Sequence, residues 1–432
     1  MKKIIHKTKS LILSRTAKNT YTLFVGNTAD AFFSFLFSVF AFRLLETSEF
    51  GIFSAINNFV IIVFSLLDLG IGSGVIKFVS YHEDKKEGSL ANKYLKAGVF
   101  LRIALALTAA VIIWFISPVL APKAFLTNKT MAILLAGVAV VFLSIIDITT
   151  FALQARSKFK LSAITYTSFS GSRILIFFLI GKLAGEFTLS LTILSTVLAS
   201  ILSASAGLIF LGRNYLKEKP DEDIYKRLIS FSGWIGLSRI ATSLGGRIDT
   251  QLVLLLLGAF SAGIYSVAAR IASFYPVIVT SFSSVLAPRL ASATTLEEVK
   301  PFIKKSILAV ALLILAMGFG ILIAHPFIIL LFGEKAAPSV PVFQALTLAF
   351  IPFVANSLAI STIIYTLKKP WIIGLTSILQ TILVIVGQLI LIPTLGKIGP
   401  AVSMGIANTI TMLISYSVIA RSWKTNEKRT SQ

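Results

Sequence analysis

Residues 44–54 read LLETSEFGIFS, and residues 256–266 read LLGAFSAGIYS. The two stretches align without gaps at an offset of 212, with Leu44, Leu45, Gly51, Ile52 and Ser54 recurring in the second. Each is flanked by long apolar segments, as a connection between two membrane spans would be. The repeat predicts two similar halves, each entered through the same first-to-second-span connection.

The surrounding sequence supplies the spans. A helix needs about 20 largely apolar residues to cross a hydrocarbon core about 30 Å thick. Twelve stretches have that character: 20–42, 50–76, 97–117, 130–153, 161–182, 187–211, 228–257, 262–286, 303–325, 340–366, 371–392 and 397–420. Composition agrees, with 56% hydrophobic and 13% charged residues among 432 and a mean hydropathy of +0.88. A soluble domain carries roughly a quarter charged residues. The expected fold class is therefore an all-α polytopic membrane protein of about twelve transmembrane helices. They would form two six-helix bundles related by a pseudo-two-fold axis along the membrane normal.

The formal charge of +22 follows from topology. With the N-terminus placed inside, thirty of the forty Lys and Arg residues lie on the cytoplasmic side. Six lie outside and four within spans. That asymmetry obeys the positive-inside rule, puts both termini in the cytoplasm of a cell-membrane protein, and argues against a nucleic-acid partner. Arg102 sorts with the cytoplasmic residues in this scheme. The expected divisions are a basic lead-in (1–19), an N-terminal bundle (20–212), a charged linker (213–227, RNYLKEKPDEDIYKR), a C-terminal bundle (228–420) and a tail (421–432). The apolar run that follows the basic lead-in is too long for the h-region of a cleavable signal. There are no cysteines, and His6, His82 and His325 show no metal-ligand spacing, so no metal site is expected.

Four arginines interrupt the apolar stretches: Arg173, Arg239, Arg247 and Arg270. Arginine at bilayer depth costs about 2.5–3.5 kcal/mol even on insertion scales, so it is retained for a partner or a pathway. One reading is a cationic patch facing a water-filled cavity, where guanidinium groups bind phosphate oxygens. The other is pairing with Asp30, Asp68, Asp147 or Asp249, and a pair between Asp249 and Arg270 on adjacent spans is the specific case. Asp30 and Asp249 are also candidates for coupling to H+ or Na+. Asp68 and Asp147 read as interfacial or capping. Pro276 and Pro352 interrupt spans either as hinges or as simple kinks.

Five segments carry a family resemblance. EFGIFSAINNF (49–59), DLGIGSGVIKFVS (68–80), LQARSKFKLSAI (153–164), RIDTQLVLLLLGAFSAGIYSVAARIAS (247–273) and SSVLAPRLAS (283–292) occur in that order. They resemble the oligosaccharide flippases of the MOP exporter superfamily, the Wzx-like polysaccharide transport family. The resemblance implies a two-lobed, V-shaped bundle, not an enzyme and without a cofactor. It would flip a polyprenyl-diphosphate-linked oligosaccharide across the cytoplasmic membrane by alternating access. Its partners would be that substrate, membrane lipid and other polysaccharide assembly proteins. A MATE-like cation antiporter shares the fold and remains an alternative. A membrane polymerase or ligase is a more distant one, because every external loop is short.

Overall fold

The computed structural model describes residues 15–292 and 296–430. Most of the basic lead-in and the last two residues of the tail lie outside that range. Among the described residues the chain is helical throughout and contains no strand. The helices are α1 (Arg15–Leu44), α2 (Thr47–Asp68), α3 (Ile71–Asp84), α4 (Gly88–Ala124), α5 (Thr130–Ala155), α6 (Phe159–Ala184), α7 (Leu189–Leu211) and α8 (Glu222–Gly245). There follow α9 (Ile248–Leu257), α10 (Ala259–Ala272), α11 (Phe274–Ser292), α12 (Leu296–Leu322), α13 (Ala324–Phe332), α14 (Val340–Ser361), α15 (Pro370–Leu395) and α16 (Gly399–Thr430).

Nine of the described stretches are long and apolar enough to cross a membrane, or ten if α12 and α13, bent by 67°, form one span. One of the nine, Pro370–Ser422, covers 53 residues. At 1.5 Å per residue that is more than two bilayer cores. Gly396, at φ 62°, turns the chain there between α15 and α16. The protein is an all-α polytopic membrane protein of about twelve spans.

Several expected spans are not single helices. The second breaks between α2 and α3, where Leu69 and Gly70 both have positive φ, 43° and 76°. The seventh breaks at Gly246–Arg247, between α8 and α9. Consecutive Gly245 and Gly246 lower helix propensity there by about 1 kcal/mol each. Arg247 and Asp249 therefore do not stand on the same continuous helix as Arg239. The eighth breaks at Ser273, and Pro276 sits in the first turn of α11, where a missing N–H costs no hydrogen bond. Pro352 remains inside α14.

The chain divides into two compact units, Met1–Arg247 and Ile248–Gln432. The division falls beyond the expected linker 213–227, because that segment is docked onto the first unit. Tyr215, Ile224 and Leu228 are buried in one cluster with Ile71, Val75 and Leu95. Lys96 donates to the carbonyls of Leu216 (2.8 Å) and Glu218 (2.6 Å). Burial pushes the Tyr215 hydroxyl above its usual pKa, with Arg156 opposing. The helix that follows, α8, packs on α2, α3 and α4, and Lys77 of α3 lies 3.7 Å from the Phe231 ring centre.

The internal repeat has a structural counterpart. Each copy spans a turn between helices, α1 to α2 and α9 to α10. Leu44 and Leu256 are 40% and 43% exposed, whereas Gly51, Ile52, Gly263 and Ile264 are buried. Three of the five recurring pairs thus keep the same exposure in each unit, whereas Leu45 and Ser266 are more buried than their counterparts Leu257 and Ser54.

Candidate functional site

The polar interior of the first unit is built on α6. Tyr166, Ser170 and Arg173 stand at i, i+4 and i+7, which places them on one helix face. Ser170 donates its hydroxyl to Asp30 of α1 in a short hydrogen bond and lies 3.1 Å from the Ser34 hydroxyl. Tyr166 is within electrostatic reach of Asp147, Asp30 and Arg247. Asp30, Asp147 and Arg247 thus all act electrostatically on one tyrosine, although they come from three separated segments.

Arg173 is buried among rings. Its guanidinium carbon is 3.7 Å from the centre of Phe37, 5.5 Å from Phe53 and 5.8 Å from Phe169. Cation–π attraction of this kind contributes about 2 kcal/mol when desolvated. Arg239 lies within α8, but its side chain is outside the described residues.

A further arginine is more deeply buried than Arg173, Arg247 or Arg270. Arg102, in α4, is completely inaccessible to solvent. Its Nη1 is 3.5 Å from Asp68 Oδ1 and its Nη2 is 3.3 Å from Asp147 Oδ2. Nη2 also donates to the Phe64 carbonyl at 3.1 Å. The assignment of Arg102 to a cytoplasmic loop is therefore corrected: its neighbours Lys93 and Lys96 made it look like part of a basic loop. Asp68 does act as a cap, accepting the Gly72 N–H at 3.3 Å at the start of α3. It is also an ion-pair partner, as is Asp147. The available signal was the presence of two aspartates and one arginine within neighbouring apolar segments, a set that hydrocarbon favours as a cluster.

In the second unit Asp249 is buried at the start of α9. Its Oδ2 accepts the Tyr265 hydroxyl at 2.6 Å, and its Oδ1 accepts the Thr250 N–H at 2.7 Å. The helix N-terminus adds a favourable dipole. Arg270 is half-buried in the last turn of α10. A second network joins three helices: Gln380 Nε2 of α15 donates to Asn408 Oδ1 of α16 at 2.6 Å, and Asn408 Nδ2 donates to the Ala349 carbonyl of α14 at 2.8 Å. No group of three or more potential metal ligands occurs among the described residues.

Apolar helices with charged side chains buried between them are expected of a polytopic membrane protein, and comparison with known proteins specifies the lineage. A family model described as polysaccharide biosynthesis protein matches residues 16–294. The chain belongs to that family. Among relatives of this family member, one from Shigella flexneri named as a putative O-antigen transporter is 25% identical over 233 residues. The alignment covers 52% of this chain and 55% of that relative, so the match spans about half the length of each. Among solved structures, an inward-facing MATE family multidrug transporter of the MOP superfamily gives a TM-score of 0.75 at 14% identity, covering 93% of this chain and 96% of that one. The lipid II flippase MurJ, in an inward closed conformation, gives 0.71 at 17% identity over 93% and 87%. This member of the polysaccharide biosynthesis family therefore has a MATE-like fold.

Proposed function

We propose that this chain is a transporter rather than an enzyme. It flips a polyprenyl-diphosphate-linked oligosaccharide across the cytoplasmic membrane, by alternating access, with both termini in the cytoplasm. Family membership carries the reading, supported by the name of the Shigella flexneri relative and the fold shared with MurJ. The physical problem is to move an anionic, heavily hydrated head group past hydrocarbon while its lipid tail stays in the bilayer. Guanidinium groups replace lost hydration with charge-assisted hydrogen bonds to phosphate oxygens.

Arg247 and Arg270, both half-buried, are the described arginines best placed to serve that role, with Arg239 as the third. Arg173, closed in by Phe37, Phe53 and Phe169, shapes the wall instead. Asp30 and Asp249 remain the candidates for coupling to H+ or Na+. Likeness to MATE structures supports a second reading, a cation antiporter. Assembly proteins that make or extend the glycan are its expected partners.

The decisive test is depletion of the protein, followed by assay of lipid-linked oligosaccharide in each leaflet. Accumulation on the cytoplasmic leaflet is expected, and Arg247→Ala should reproduce it at normal protein abundance. Depletion that leaves the leaflets unchanged while sensitising cells to cationic drugs would establish the antiporter instead.

A further inference from the structure

The α2–α3 break is held by contacts from several helices. Leu69 adopts a left-handed conformation that its Cβ disfavours, and Gly70 adopts another. Two helix ends meet there, each with backbone groups lacking intrahelical partners. Asp68 caps the start of α3 through the Gly72 N–H. Arg102 reaches from α4 to the Phe64 carbonyl in the last part of α2 and places its cation at that helix's negative end. The same guanidinium is 3.3 Å from Asp147 on α5. From α8, Gly236 approaches so closely that a Cβ there would lie 2.5 Å from the Leu69 carbonyl carbon. Five helices therefore converge on one bend, and a single guanidinium links three of them.

The ion-pair distances, 3.3 and 3.5 Å, are longer than the usual 2.7–2.9 Å of a charge-assisted hydrogen bond. Nη2 donates to Asp147 while Nη1 faces Asp68 slightly farther away, so one guanidinium serves both carboxylates.

We propose that Arg102 is a positioning residue for transport. Its guanidinium, divided between Asp68 and Asp147, sets the bend at Leu69–Gly70, and redistribution between those carboxylates accompanies the movement of α3 relative to α2. The residue is sealed from solvent and does not touch the substrate. Its role rests on the transport reading above, whereas its conformational readout does not.

The protein contains no cysteine, and Leu69 is 40% exposed, so Leu69→Cys supplies a single labelling site at the bend. In that background Arg102→Lys keeps the charge but loses the planar fork. The expected result is a change of fivefold or more in the maleimide labelling rate of the introduced thiol, with transport reduced about tenfold and the melting temperature of the purified protein little changed. Labelling within twofold of the parent overturns the proposal, whatever happens to transport. Altered labelling with no measurable oligosaccharide transport by the parent protein would sustain the switch and overturn the flippase reading instead. A parallel fall in abundance, melting temperature and transport, with labelling unchanged in the folded fraction, would show a purely structural residue. If Arg102→Lys does not accumulate, Asp147→Asn carries the same test, because it leaves the Asp68 cap in place.

Discussion

The two units solve the same problem, polar groups inside apolar helices, with different chemistry. Among the described residues, the first unit buries Arg102, Asp68 and Arg173 as charges, while the second buries Asp249 and otherwise relies on neutral groups such as Asn408, Gln380, Ser403 and Thr347. Neutral amides and hydroxyls hold helices together at modest desolvation cost. Buried ion pairs contribute little net stability, because desolvation offsets the attraction, yet they are expensive to break. Charge in the first unit is therefore better explained by the geometry it imposes than by stability, whereas the amide network of the second reads as helix packing.

That contrast can be broken in descending order of effect. Arg102→Ala would leave Asp68 and Asp147 without their shared cation and should cost about 3–5 kcal/mol. Thermal unfolding in detergent should show it as the largest loss among these variants; a loss below about 1 kcal/mol would remove the distinction between the units. Asn408→Leu strands Gln380 and the Ala349 carbonyl in the second unit, and a smaller loss of about 1–3 kcal/mol is expected. Gly236→Val forces α8 off the Leu69 backbone at an overpacking cost of about 1–3 kcal/mol. Because α8 belongs to the first unit, limited proteolysis of this variant should cut within 213–247 while leaving Ile248–Gln432 protected. At the small end, Glu222→Ala removes an exposed i,i+4 pair with Lys226 and should change stability by no more than about 0.5 kcal/mol. A larger effect would mean that the start of α8 is held more by its surface charges than by Tyr215, Ile224 and Leu228.

The legibility of the sequence follows the same divide. Span lengths, the absence of strands among the described residues and the repeat at residues 44 and 256 are local properties, since bilayer crossing demands a continuous apolar stretch wherever it occurs. The breaks were harder to read. Leu69–Gly70 and Gly245–Gly246 sit in stretches apolar enough to pass as continuous helix, and only the packing of α3, α4 and α8 makes a bend preferable to a straight span. Arg102 shows the limit most sharply. Its position beside Lys93 and Lys96 suggested a basic loop, and its true environment depends on two aspartates 34 and 45 residues away in the chain.

The order of residues was enough to establish a membrane protein of about twelve helices, with a repeated turn at residues 44–54 and 256–266 and a set of costly charges within apolar stretches. Packing in three dimensions was needed to show that the charged segment 213–227 docks onto the first unit, that Arg173 lies within phenyl rings, and that Asp68 and Asp147 share Arg102. Hydropathy is a property of consecutive residues and can be summed along the chain. The partner of a buried charge is set by which helices pack together, and that is a relation between segments far apart in sequence.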